Sequence, residues 1–288
     1  VTIEIGSPQL RARIKPRGAE LSSLCDARGQ EYLWQAEAAW PRHAPLLFPI
    51  VGRLREDTAW FGDMACPMGQ HGFARDLGFT LLEQTPGACR LALADSAETH
   101  GAYPFAFRLE VTHAVRENTF LSEYAVTNTN EAMMPFSIGA HPAFRWPLPG
   151  AGSKPAHRLD FEQDETPPCY RIRPDGLLDP TPQELPLNGR SFGLREELFE
   201  GGAFVLLNPA SRHVTYTAGG AAPLEVAWQG FGGLGIWMKP GCDFLCIEPW
   251  AGHADIAGYE TGFWDKPGIR MLPPGETQRF SWRVTVGA

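Results

Sequence analysis

Nowhere in the 288-residue chain is there a run of about 18 apolar residues, so nothing reads as a helical membrane span. Charge is sparse as well. Asp, Glu, Lys and Arg make up 20%, with 25 basic against 33 acidic residues and no dense basic tract. A net charge of −8 without such a tract argues against nucleic-acid partners. Only six cysteines occur, with no framework spacing. The one close pair, Cys242 and Cys246, would share a face of a strand too far apart to bridge, and no second pair completes a zinc site. All six are read as reduced thiols, as in a cytoplasmic protein. The opening VTIEIGSPQLRARIKP lacks the basic and apolar regions of a signal peptide. Also missing are HExxH, a phosphate-loop pattern, a GxSxG elbow and any βαβ alternation. Helical periodicity is confined to Leu194–Phe199, barely two turns.

What the chain does have is glycine, proline and aromatics. Gly (31) and Pro (26) form about a fifth of it, and Phe, Tyr and Trp another 11%. Period-two stretches rich in β-branched and aromatic residues recur at Val1–Ile5, Gly78–Glu83, Cys89–Ala94, Phe105–Val115, Leu121–Asn128, Ala203–Leu207, His213–Thr217 and Gln278–Val286. Many short strands with almost no helix predict an all-β sandwich or barrel. No composition break or internal repeat divides residues 1–288, so one domain is expected. Three long segments, Ala36–Asp76, Pro142–Arg190 and Pro249–Glu276, carry enough aromatics to be read as packed loops.

Titratable residues leave strands and enter those loops at three places: QHGFAR (70–75), SIGAHP (137–142) and LCIEPW (245–250). Alternation puts Ser137, Gly139 and His141 on one face, which leaves room for a polar ligand. It also puts Phe244, Cys246 and Glu248 on one face, opposite Leu245 and Ile247. That strand therefore reads as buried on both sides and ends in a carboxylate, which is costly unless paired or used. Any one such residue has an ordinary explanation as a satisfied core group; three with the same placement point to a site. Phe144, Trp146, Trp237 and Trp250 are candidates for stacking on sugar rings, with core packing the default for each. Gly252-His253-Ala254-Asp255 offers two metal ligands without partners at metal spacing, so no metal is expected. Asp243 and Glu248 fall on opposite faces, which argues against a glycosidase carboxylate pair.

At these residues the chain resembles the LacX-like branch of the aldose 1-epimerase (galactose mutarotase) family. The resemblance is carried by APLLFPIVGRL and PMGQHGFAR within residues 40–75, IGAHPAF at 138–144 and IWMKPGCDFLCIEPWAGHAD at 236–255. It covers essentially the whole chain and implies a β-supersandwich that needs no cofactor. It also implies interconversion of the α and β anomers of a free aldose. Matched to the family's motifs, Glu248 is the catalytic base, His141 the catalytic acid, and His71 a sugar-binding histidine that assists the acid. Arg53 is matched to a sugar-hydroxyl contact, with Phe73, Trp237 and Trp250 completing the substrate-binding set. The family's sugar-contacting Asp has no counterpart in Leu198–Ala203. Rival readings are a hexose-6-phosphate mutarotase, a non-catalytic sugar-binding protein on the same fold and, more weakly, a glycoside-processing enzyme. The expected partner is a small sugar, with no membrane or nucleic acid, on a monomer or homodimer.

Overall fold

A computed structural model describes residues 2–166 and 168–287. Two antiparallel sheets face one another. The larger has ten strands, running from Leu187–Asn188 at one edge through Leu224–Gln229, Thr277–Val286 and Thr119–Asn128 to Thr80–Thr85 at the other. Its central members alternate as a sheet with one wet face must. In Phe107–Arg116 the side chains of Phe107, Leu109, Val111, His113 and Val115 turn inward and are buried, with the intervening residues half-buried or exposed.

The second sheet has seven strands, in the order Cys169–Arg171, Phe204–Leu206, Gly233–Trp237, Phe244–Ala251, Ile138–Ala140 and Leu46–Leu47, with Ala143–Arg145 also paired to Phe244–Ala251. Phe48, Phe107, Phe136, Ile138, Leu245, Ile247, Phe280 and Trp282 all belong to the one large core between the sheets. Each fully buried aliphatic or aromatic side chain there contributes roughly 1.5–3 kcal/mol relative to exposure. The strand expected to be buried on both sides is so: all eight residues of Phe244–Ala251 are buried. Leu245 and Ile247 enter the main core, and Phe244 and Cys246 enter a smaller cluster with Trp34, Ala143 and Cys242. The long loops form that second cover.

The predicted all-β supersandwich is therefore what the chain adopts. All eight predicted strands match observed ones to within about two residues at each end, Ala203–Leu207 shortening by one at either end to Phe204–Leu206. Leu194–Phe199 holds only a 3-10 turn, Glu196–Phe199. The single α-helical turn among the described residues, Ala97–His100, went unanticipated; a reciprocal capping box between Ser96 and Thr99 holds it. Among the described residues no helix is long and apolar enough to cross a membrane.

Candidate active site

Register on the seven-stranded sheet brings the site together. Gly235 lies opposite Glu248, Trp237 and Ala143 opposite Cys246, and Gly139 opposite Trp250. Glu248 and Trp250 share a face of their strand and point the same way. His141 follows Ile138–Ala140 directly, and its backbone N–H donates to the Pro45 carbonyl. Its Nε2 lies 3.3 Å from Glu248 Oε2. Both side chains are buried, at 7% and 1% exposure. His141 is packed among rings: Trp40 stacks on it at 5.2 Å, while Trp237 and His71 meet it edge-on at 5.7 and 5.5 Å. These walls fix the imidazole against the carboxylate.

His71 reaches the site from a turn. Its backbone N–H donates to the Gly52 carbonyl (2.7 Å), and the Gly52 N–H donates back to His71 Nδ1 (3.1 Å). With Nδ1 accepting, a ring proton of neutral His71 resides on Nε2. The turn holds His71 at φ 67°, a left-handed conformation uncommon for a non-glycine residue. Gly72 follows at φ 68°, where a Cβ would sit 2.3 Å from the Phe48 carbonyl oxygen. The His-Gly pair is thus the local requirement for bringing this imidazole to the sheet.

Trp250 lies flat across the sheet. A Cβ on Gly139 would come within 2.8 Å of its Cδ1, and one on Gly235 within 2.7 Å of its Cζ2. The space expected above Gly139 for a polar ligand is therefore filled by the indole. Ser137 on the same face sits under Gly252, where a Cβ would be 2.3 Å from Ser137 Oγ. Of that face, only His141 reaches the cavity.

The cavity itself measures about 610 Å³, and Glu248, His141, His71, Trp40, Trp237 and Trp250 line it. Arg53, Arg75, Arg173 and Lys239 contribute cationic walls, and Phe199–Ala203 closes another side. Arg53 grips Asp57 with two donors at 2.7 and 2.6 Å. Arg173 is paired to Asp175 at 3.0 Å. Half-buried Arg75 has Asp76 no nearer than 3.7 Å, and partial burial together with neighbouring Arg42 lowers its pKa to about 10.

Burial dominates the electrostatics of the Glu248–His141 pair. It raises the Glu248 carboxyl well above 4.5, partly offset by the indole of Trp250. It pulls His141 down to about 3, with Arg75 adding repulsion, and His71 well below 6.5, with His141 and Arg75 adding to it. Burial thus works against both charged forms, the carboxylate and the imidazolium, in the free protein, while the proximity of the two groups favours the ion pair.

Of the residues expected at the site, Glu248, His141, His71, Arg53, Trp237 and Trp250 line the one cavity. Phe73 does not. Its ring packs against Phe48, Tyr103 and Phe107, because the turn at Gly72 directs it back into the core. Phe144 and Trp146 are likewise fully buried, with the Trp146 N–H donating to the Lys154 carbonyl. Asp243 is not among the residues lining the cavity and pairs with Lys154 at 2.8 Å. Asp255 is bound by Lys266 and by the Arg55 N–H, and His253 Nδ1 by the Ala254 carbonyl. Two features were missed. Trp40, in a long loop, gave no signal beyond being aromatic. The expectation that no ligand cluster gathers near the candidates is also corrected: Cys246 Sγ joins His141 and Glu248 with all three ligand atoms within 4.8 Å of one another. Its signal was the Cys-x-Glu spacing, which puts both side chains on one strand face.

Fold and site together define an aromatic-walled cavity in a β-supersandwich, with a buried carboxylate–imidazole pair on its wall. The chain belongs to the aldose 1-epimerase family, whose sequence profile matches residues 1–258. It is similar to Protein LacX (plasmid) of Lactococcus lactis subsp. lactis, at 32% identity over 297 residues covering 99% of each chain. Among solved structures it is similar to a galactose mutarotase related enzyme from Lactobacillus acidophilus, with TM-score 0.93 and 28% identity over 100% of this chain and 98% of that one. A galactose mutarotase-like protein from Lactobacillus casei ATCC 334 has TM-score 0.92 and 30% identity over 99% of this chain and all of the other.

Proposed function

We propose that this protein catalyses mutarotation of a free aldose, opening the ring and closing it on the other face of C1. The observation that carries the proposal is the Glu248–His141 pair, 3.3 Å apart on the wall of the cavity. The bound sugar's hydroxyls offer hydrogen bonds to the charged form of the pair, and opposite charges at this distance offset much of each other's desolvation. Glu248 then takes the proton of the C1 hydroxyl while His141 gives its proton to the ring oxygen. The C1–O5 bond breaks, C1 becomes the aldehyde carbon, and rotation about C1–C2 presents its other face. Closure reverses both transfers and restores the pair, so no cofactor is consumed. His71, with Nε2 available, donates to a sugar oxygen and steadies the acid. Two positioned groups supply roughly 10²–10⁴-fold each.

Support comes from the family and from neighbours whose names are galactose mutarotase related and galactose mutarotase-like. The test is anomer exchange followed by saturation-transfer NMR on a panel of aldoses. If the protein binds sugar but never accelerates exchange, a sugar-binding role replaces this one.

A second reading, mutarotation of a hexose 6-phosphate, gains from one observation. The basic residues that look scattered in sequence converge, as Arg53, Arg75, Arg173 and Lys239 all line the cavity. Two of these already hold carboxylates, Asp57 and Asp175, which is why the free sugar remains the primary proposal. Arg145 is not among the lining residues. A tenfold preference in kcat/KM for the 6-phosphate, lost in Arg75→Gln or Lys239→Gln, decides for the phosphorylated substrate.

A further inference from the structure

Cys246 is the one member of the buried cluster that the proposed reaction does not use. It is fully buried, two residues before Glu248 on the same face of the strand, and its Sγ lies with His141 and Glu248 in a group whose ligand atoms are all within 4.8 Å. A tetrahedral zinc ion holds sulfur at about 2.3 Å and nitrogen or oxygen at about 2.0–2.2 Å, so its ligands stand roughly 3.3–3.8 Å apart. The His141–Glu248 separation of 3.3 Å already meets this, and the sulfur has to close by no more than about 1 Å. Glu248 Oε2 makes no aligned hydrogen bond, although His141 Nε2 lies 3.3 Å away, so none has to be broken there to seat an ion.

We propose that His141, Cys246 and Glu248 form a three-ligand site for a thiophilic divalent cation, with Zn²⁺ the best match, and that the ion shuts the enzyme off by occupying the acid–base pair. The thiolate–imidazole–carboxylate set selects zinc over magnesium or calcium, which require oxygen ligands. The exchange is charge-balanced. The Cys246 thiol and the Glu248 carboxylic acid each release a proton to solvent as the dication enters, leaving the buried site with the net charge it had. Glu248 and His141 line the cavity, and the fourth coordination position points into it. Sugar and zinc therefore compete for one space. The inhibition, though not the metal binding, rests on the mutarotase function proposed above.

The experiment has two independent readouts. Zinc affinity of the metal-free protein is measured against a chromophoric chelator, and Co²⁺ is added separately to look for thiolate-to-cobalt charge-transfer absorption. Wild type is compared with Cys246→Ser and Cys246→Ala, and with Cys66→Ser as control, thermal midpoints being recorded for all. Wild type and the control should bind one ion and show the thiolate band, and both Cys246 variants should bind at least tenfold more weakly and lack it. In anomer exchange, Zn²⁺ should inhibit wild type competitively with sugar and EDTA should restore it, while Cys246→Ser keeps its activity and resists zinc. Unchanged zinc affinity in both Cys246 variants, or a cobalt complex without the thiolate band, overturns the site. Zinc binding at Cys246 in a protein that never accelerates exchange supports the site and removes the mutarotase function instead.

Discussion

Replacing Gly235 by alanine tests whether the indole of Trp250 is wedged as described. The new Cβ would lie 2.7 Å from Cζ2, 2.8 Å from Cη2 and 3.1 Å from Cε2 of Trp250, where ordinary carbon contacts begin near 3.5 Å. Something must move by several tenths of an ångström. The indole has little freedom to retreat, because it is 4% exposed and lies across Gly139 toward Leu47 and Val51. Overpacking of this kind costs about 1–3 kcal/mol. At about 2–4 °C per kcal/mol for a domain approaching this size, the expected fall in Tm is about 6 °C. Trp250 also lines the cavity beside Glu248, and displacement near 1 Å at a positioned group can cost 10²-fold. A fall in kcat/KM of roughly tenfold or more should accompany the lost stability. Gly219→Ala, where the added Cβ meets nothing within 4 Å, is the control. A Gly235→Ala protein melting within about 1 °C of wild type, with full activity, would refute the account of Trp250 and with it the role of the two glycines.

Four further outcomes are expected. Glu248→Gln should abolish catalysed exchange while sugar affinity stays within about tenfold, because Gln keeps the shape and hydrogen bonding but takes no proton; near-wild-type turnover removes Glu248 from the mechanism. His141→Asn should lower kcat more than His71→Asn, since His141 follows a strand and sits among three rings whereas His71 rides on a turn; the reverse order reassigns the acid. The acid limb of the kcat/KM profile should lie below the free-imidazole value of about 6.5, because His141 is depressed to about 3, while the alkaline limb follows the raised Glu248 carboxyl; activity lost as pH falls from 7 to 6 contradicts the buried pair. Finally, burial depresses fully buried His113 to about 4, although its Nε2 meets the Ala19 carbonyl. Its contribution is intact above the unfolded value near 6.5 and is lost as pH falls from there toward 4, worth on the order of 3 kcal/mol; denaturant melts showing equal acid sensitivity in His113→Gln discard it.

The architecture was legible because alternation and burial report the same thing in a sheet with one wet face. Phe107–Arg116 and Thr277–Val286 alternate in sequence and alternate in the fold. Phe244–Ala251 departs from alternation, and that departure was itself informative, since a strand covered by loops on its second side has no polar face to show. Legibility failed where a long-range partner decides. No local pattern says that the HGFAR turn returns Phe73 to Phe48 and Tyr103 while His71 stays at the cavity. Nor does any local pattern place Trp40, whose position depends on the whole Ala36–Asp76 loop folding over the sheet. The Ser137-Gly139-His141 face was correctly drawn, yet the space above Gly139 belongs to a side chain from the neighbouring strand.

The protonation of the acid–base pair shows the same limit in its chemistry. Sequence supplies the groups, and their ordinary pKa values cast an ionised Glu248 as base and a protonated His141 as acid. Depth opposes both charges, because neither is stable alone where Glu248 is 1% and His141 7% exposed. In the mutarotation proposed above, a pair that takes one proton and gives one recovers its starting state on closure, so the same two residues would serve both anomers. A surface pair would be held apart by water and fixed in its ionic form. Under that proposal, the Trp40 and Trp237 rings packed on His141 keep water from the pair until a sugar supplies the hydrogen bonds for transfer.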